Sequence, residues 1–212
     1  MSAWDVPQQP KDDPRIEIEE RTTPFQGYFR IDKYRLRHQK HDGGWTDTMQ
    51  REIFERGHAV AVLPYDPARD SVVLIRQFRL AAHLGGMEPW QTEIVAGIIE
   101  AGETPENVAW REVPEETGLP LSRLEPILRY MPSQGATTEN LFLYCGQVDS
   151  AGVDGVHGLD HEHEDILPSV HSTDEAIRML EDGQLQNSPA VIAIQWLALN
   201  RQALRRRWLS GA

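Results

Sequence analysis

The chain has 212 residues, 40% of them hydrophobic and 25% charged, and its 21 Lys+Arg against 33 Asp+Glu leave a formal charge of −12. That length suits one globular domain with an appendage, or two small ones, and is enough to bury a core without staples. The acidity argues against a nonspecific nucleic-acid binder and against docking on an anionic membrane surface, since both need a basic face.

The opening stretch MSAWDVPQQPKDDPR has no apolar signal core and reads as a flexible tail over residues 1–15. Residues 16–38 alternate between polar and apolar and predict antiparallel strands broken at Pro24 and Gly27. HDGGW, His41 to Trp45, is a turn. HAVAVLPYD, the DPARD turn and SVVLIRQFRL predict a hairpin, and Trp90–Ile99 predicts one further strand. A helix is expected after Thr104, with Thr104 as N-cap, Pro105 in the first turn and Gly118 at the C-terminal cap. Strands are expected near LEPILRYM and ENLFLYCGQV, then a long acidic loop over 150–168. Helices are expected at about 173–182 and 189–208, the second opening on Ser-Pro as cap and first-turn proline. Strands interleaved with helices and hairpins predict a mixed-sheet α+β fold.

Cys145 is the only cysteine, which excludes an intramolecular disulfide, fits a reducing compartment and suggests a buried, inert thiol. The longest apolar helical candidate, VIAIQWLAL, falls well short of the ~20 residues a membrane span needs. A soluble, cytoplasmic protein is expected.

The most informative segment is GIIEAGETPENVAWREVPEETGL, Gly97 to Leu119. On a wheel at about 100° per residue, Glu112 and Glu116 fall inside the apolar stripe of Val108, Ala109 and Val113, one turn apart. Two like charges at that spacing repel, and partial burial raises the cost of ionising both. A raised pKa, cationic partners or a bound divalent ion could compensate. Mg²⁺ suits the position because it takes hard oxygen ligands, and Arg111 can hold a neighbouring carboxylate by a charge-assisted bond.

The order Gly97, Glu103, Arg111-Glu112, Val113, Glu115-Glu116, Gly118, Leu119 fits GX5EX7REUXEEXGU, where U is bulky and apolar. The segment therefore resembles the loop–helix–loop box of the Nudix hydrolases. That resemblance implies an α/β/α sandwich with a mixed sheet, here preceded by a small N-terminal antiparallel β domain. It divides the chain into a tail at 1–15, a β domain at 16–57 serving dimerisation, and a Nudix domain at 58–212. It also implies cleavage of a nucleoside diphosphate linked to a further moiety, with Mg²⁺ as cofactor and Mn²⁺ as a substitute.

Stretches outside the box, REIFERGHAV, EIVAGIIEAGE, GVHGLDHEHEDI and AVIAIQWLAL, are similar to the ADP-ribose diphosphatase branch of that family. The resemblance implies hydrolysis of ADP-ribose to AMP and ribose 5-phosphate by a homodimer with shared sites. It places metal ligands at the Ala96 carbonyl, Glu112, Glu116 and Glu164, and the catalytic base at Glu162. Arg111 and Glu115 complete the catalytic group. Substrate contacts carry over to Tyr28, Phe29, Arg51, Glu52, Arg56, Arg79, Ile98, Ser133, Gly135 and Glu139. His161 and His163 alternate with the loop glutamates; a histidine metal site is open there, but free polar histidines suit Mg²⁺ chemistry better.

Two departures stand out. Pro114 lies inside the box helix and removes a backbone bond to Trp110. The segment SQGATTE carries Gln134 where ADP-ribose-specific members carry proline, with Ala136 beyond it. A GDP-mannose or other nucleotide-sugar diphosphatase is therefore the alternative. A noncatalytic nucleotide-binding module and an acidic structural protein are remoter.

Overall fold

The computed structural model describes residues 4–7 and 12–210. The expected flexible tail falls partly outside them, at residues 1–3 and 8–11.

Contacts divide the chain into two compact units, the first Met1–His58 with Tyr130–Leu141, the second Ala59–Arg129 with Phe142–Ala212. The division at 57/58 read from sequence left Tyr130–Leu141 with the larger part. In the structure that segment joins the first unit, where Phe54 N–H donates to the Ala136 carbonyl at 2.7 Å.

The first unit is a three-stranded antiparallel sheet in the order β1 (Ile16–Gln26), β2 (Arg30–His38), β3 (Met49–Glu55). Pro24 does not end β1. It sits at a register shift between Thr22 and Phe25 on an edge strand, where a missing N–H costs no ladder bond. Buried Asp32 on β2 accepts from Arg21, Thr23 and Arg30, a polar knot that ties β1 to β2.

The second unit holds a seven-stranded mixed sheet. Its main path runs β10 (Leu167–Ser172), β5 (Ser71–Phe78), β4 (His58–Asp66), β9 (Leu141–Gln147), β8 (Arg123–Tyr130), with β6 (Trp90–Glu93) on β5 and β7 (Val95–Ile99) on β4. The β4–β5 hairpin is present, closed by Tyr65↔Val72 and Asp66↔Ser71. The single strand expected over Trp90–Ile99 is two, because β6 and β7 pair with different neighbours and part at Ile94. After β5 the chain turns into a five-residue helix, α1 (Leu80–Leu84), that buries nothing. The expected loop over 150–168 contains short 3₁₀ turns at Ser150–Gly152 and Asp160–Glu162 and then runs into β10, which the sequence reading missed.

Helix α2 (Pro105–Thr117) runs between the expected caps. Thr104 Oγ1 accepts from Asn107 N–H at 3.2 Å, and Gly118 ends the helix at φ 70°, a left-handed conformation that favours glycine. Pro114 is accommodated within the helix. Ser172 caps α3 (Thr173–Glu181). The cap of α4 (Ser188–Leu209) is Asn187 rather than Ser188: Asn187 Oδ1 accepts from Ala190 N–H at 3.0 Å.

The core runs along β4, β5 and β9, with Val60–Leu63, Val72–Ile75 and Phe142–Tyr144 all at most 1% exposed. Helix α2 packs on β7, and Trp208 of α4 lies against Tyr65 of β4 with ring centroids 6.2 Å apart. Asp70 gathers Tyr65, Thr173, Arg201 and Arg205 around one carboxylate, joining the hairpin turn to α3 and α4. Cys145 is buried, and burial holds its thiol well above the usual range. Among the described residues no helix is long and apolar enough to cross a membrane.

Candidate active site

Glu112 and Glu116 lie on the buried face of α2, as helical periodicity predicts. Val108, Ala109, Val113 and Glu116 are all buried, and the Glu112 side chain is 12% exposed. Both carboxylates meet β7. Glu116 Oε2 accepts the backbone N–H of Ala96 at 3.2 Å. Glu112 lies across Gly97 so closely that a Cβ on residue 97 would stand 1.8 Å from Glu112 Oε1. The missing side chain of Gly97 is the space in which the carboxylate rests.

This seat has a clear electrostatic signature. Burial pushes the Glu112 carboxyl up to about 7; Arg111 pulls it back, and Glu115 pushes it further up. Glu116 is raised well above the ordinary value, first by burial and then by Glu112, against the Ala96 N–H. Glu164 adds to both. Arg111 is shared among three carboxylates: Nε lies 3.4 Å from Glu103, and Nη1 lies 2.8 Å from Glu112 and 3.0 Å from Glu115. One guanidinium divided in this way does not neutralise the group, so burial wins at Glu112 despite the 2.8 Å contact.

The late acidic loop is anchored beside α2. His157 and Ile166 exchange backbone hydrogen bonds at 2.8 and 3.0 Å and close its neck. Gly158 N–H donates to the Glu115 carbonyl at 3.2 Å. Glu164 is turned inward, accepting the Leu159 N–H at 3.1 Å. Glu162 is not brought to the buried pair; it is exposed, 3.6 Å from His161 Nε2. Among the described residues no three carboxylate, imidazole or thiol groups already converge as a metal cluster. The donors nonetheless suit a hard divalent ion: buried carboxylate oxygens whose ionisation burial resists until a cation joins them, on a seat cleared by Gly97.

Also in this unit, Arg79 donates from Nε and Nη2 to Glu93 at 3.1 and 2.8 Å and feels the charges of Glu116 and Glu164. The sequence reading missed Glu93, because its contact with Arg79, just past the end of β5, is set by the β5–β6 pairing and not by a local pattern. Ile98 is 37% exposed on β7.

The first unit brings a second group together. Tyr28, 86% exposed, meets Phe29 edge to face at 4.8 Å, and Phe29 meets Phe54 at 5.0 Å. The Arg56 guanidinium lies 5.8 Å from the Phe29 ring centre, with its Nε 3.5 Å from buried Glu139. Burial raises the Glu139 pKa, and Arg56 opposes the rise. Ser133 and Gly135 lie on an exposed turn in which the Ser133 carbonyl accepts from Ala136 and Thr137. Arg51 turns back on the Gln50 carbonyl. Alternation along β3 puts Glu52 on the Phe54 face and Arg51 on the other.

Comparison with known proteins agrees with this fold. The NUDIX domain model matches residues 55–194. The chain is 46% identical over 193 residues to an ADP-ribose pyrophosphatase of Escherichia coli (strain K12), covering 91% of this chain and 92% of that protein. It is 38% identical over 196 residues to the ADP-ribose pyrophosphatase of Haemophilus influenzae, covering 91% and 90%. A GDP-mannose pyrophosphatase of Pectobacterium atrosepticum is more distant, 29% identical over 92% of this chain and 97% of that one. Among solved structures, one described as an ADP compounds hydrolase superposes with a TM-score of 0.67 at 19% identity, covering 95% of this chain and 98% of that one, a likeness of fold. With the domain match spanning most of the chain and such identity over nearly all of it, the chain belongs to the Nudix family, and its box is the helix that carries Glu112 and Glu116.

Proposed function

We propose that this protein hydrolyses the diphosphate of ADP-ribose, giving AMP and ribose 5-phosphate, with Mg²⁺ as cofactor and Mn²⁺ as a substitute. The observation that carries the reading is the buried pair Glu112 and Glu116 against β7, two carboxylates whose ionisation burial resists and a hard cation would favour. The substrate follows from the two relatives named ADP-ribose pyrophosphatase.

Glu112, Glu116, Glu164 and the Ala96 carbonyl would hold the metal. When bound, it supplies charge neutralisation on the diphosphate and activation of water. The remaining work belongs to the chain. Arg111 holds Glu112 and Glu115 in orientation. Glu162, exposed on its loop, takes the proton of the attacking water as general base. Arg79, Arg51 and Arg56 meet the phosphates, and Tyr28 and Phe29 offer ring faces to the base. Glu52, Ile98, Ser133, Gly135 and Glu139 complete the substrate contacts. The active species is a cytoplasmic homodimer with shared sites; exposed Ile16, Ile18 and Phe25 on β1 support an unfinished surface there.

A panel of ADP-ribose, GDP-mannose, ADP-glucose, diadenosine phosphates and nucleoside triphosphates, with Mg²⁺ or with EDTA, tests the reading. Turnover of ADP-ribose that EDTA abolishes is expected. Turnover of none of them in Mg²⁺ would overturn it. A strong preference for GDP-mannose would install the second reading, which the GDP-mannose relative and Gln134 and Ala136 in the 133–139 turn favour.

A further inference from the structure

Among the described residues, the guanidinium of Arg79 is held along one edge only. Its Nε and Nη2 donate to Oε1 and Oε2 of Glu93 at 3.1 and 2.8 Å, and Gln77 Nε2 donates to Glu93 Oε2 at 3.3 Å. Strand pairing explains how the three meet. The β5–β6 register sets Ile75 opposite Glu93 and Gln77 opposite Gln91. Ile75, Gln77 and, one step further, Arg79 therefore project from the face that carries Glu93. The Arg79 backbone is fixed as well: its N–H donates to the Pro89 carbonyl at 2.7 Å, and its carbonyl accepts from Ala82 and His83 at 3.1 and 3.3 Å.

A guanidinium carries five N–H donors in a rigid plane. The bidentate pair with Glu93 consumes the Nε–Nη2 edge and leaves the terminal Nη1–Nη2 fork open. Glu93 has little freedom of its own, since its side chain is 12% exposed and buried Gln77 holds one of its oxygens. We infer that Glu93 is a positioning residue for the diphosphate chemistry: with Gln77 behind it, it locks the Arg79 guanidinium so that the terminal fork is the edge offered to a phosphate oxygen pair. The inference rests on the diphosphatase reading for what the fork meets. It does not rest on it for the lock itself.

A double-mutant cycle on the full-length protein tests the role, with kcat and KM measured on ADP-ribose in Mg²⁺. Glu93→Ala is expected to lower kcat on the order of 10- to 100-fold, as loss of a supporting hydrogen-bond partner does. Arg79→Ala should lower it at least as far, and the double variant should match Arg79→Ala alone. Independent, multiplicative losses, or unchanged kinetics in Glu93→Ala, would overturn the inference. Glu93→Gln keeps an acceptor and the packing, so a smaller loss is expected; if Glu93→Ala does not fold, a Glu93→Gln enzyme equal to wild type overturns the inference instead. The Arg79 Nε–Hε signal in ¹⁵N NMR reads the lock without substrate. Slow exchange is expected in the wild type and fast exchange in Glu93→Ala; the same exchange in both overturns the lock. A wild-type protein that leaves ADP-ribose intact would refute the diphosphatase reading while the NMR comparison still decides the lock.

Discussion

Glu116 Oε2 accepts the backbone N–H of Ala96 at 3.2 Å, on a residue only 2% exposed, so the carboxylate is fastened to β7 by one neutral donor. One such bond does not offset burial beside Glu112. Glu116→Gln should therefore raise the melting temperature of the metal-free protein at pH 8, and on the proposed role of Glu116 as a metal ligand it should reduce turnover by about 100-fold. Calorimetry in EDTA beside kinetics in Mg²⁺ checks both; a lower melting temperature would count against the account of strain.

The pH dependence follows from Glu112. Its carboxyl stands near 4.5 without the fold and about 7 within it. A folded-state pKa above the unfolded one favours the protonated native state, so its stabilising share is present below pH 4.5 and is lost as pH rises through 7. In EDTA, stability should fall between those values by roughly 3 kcal/mol from this group. Mg²⁺ should restore it at pH 8. Urea titrations at pH 5, 6, 7 and 8, with and without the ion, measure the difference.

Asp66 gives the opposite slope. Burial raises its pKa, but N–H groups of Arg69 and Ser150 and their side chains outweigh it and bring the carboxyl down to about 2. Its contribution is present above 3.8 and is lost as pH falls through 2. Asp66→Asn should destabilise the fold at pH 7 by about 2 kcal/mol and flatten the acid limb of the unfolding curve.

Gly97→Ala separates the seat from the fold. A Cβ there would stand 1.8, 2.2 and 2.5 Å from Oε1, Cδ and Cγ of Glu112, so the Glu112 side chain must swing away as a whole, with no backbone atom among the three nearest. Weaker Mg²⁺ affinity and a loss of turnover are expected, with the melting temperature nearly unchanged. Titration calorimetry with Mg²⁺ and a thermal scan report the two effects separately.

Phe29→Ala should raise KM for ADP-ribose by about 10-fold with a small change in kcat, because a stacked base contributes roughly 1–3 kcal/mol to binding. An equal fall in kcat at constant KM would remove Phe29 from substrate recognition.

What was legible in the sequence is what local chemistry decides. Thr104, Pro105 and Gly118 bound α2 because caps act within a turn, and the buried placement of Glu112 and Glu116 follows from helical period alone. Where pairing partners decide, the reading failed. Trp90–Ile99 is apolar enough for one strand, and only the change of neighbour from β5 to β4 divides it. LPSVHS lacks a clean alternation, so β10 exists through its antiparallel register with β5. The Glu93 contact with Arg79 likewise spans two strands, and no local pattern announces it.

The shared guanidinium of Arg111 constrains how the box can drift. Losing Glu103, Glu112 or Glu115 singly leaves the cation with fewer anions, whereas losing the cation leaves three carboxylates facing one another. A lysine in its place offers a point charge on a flexible stem and has no planar fork to reach three directions at once. Among these four positions Arg111 is thus the one whose single loss leaves the most repulsion, so drift away from catalysis should remove a glutamate before it removes the arginine.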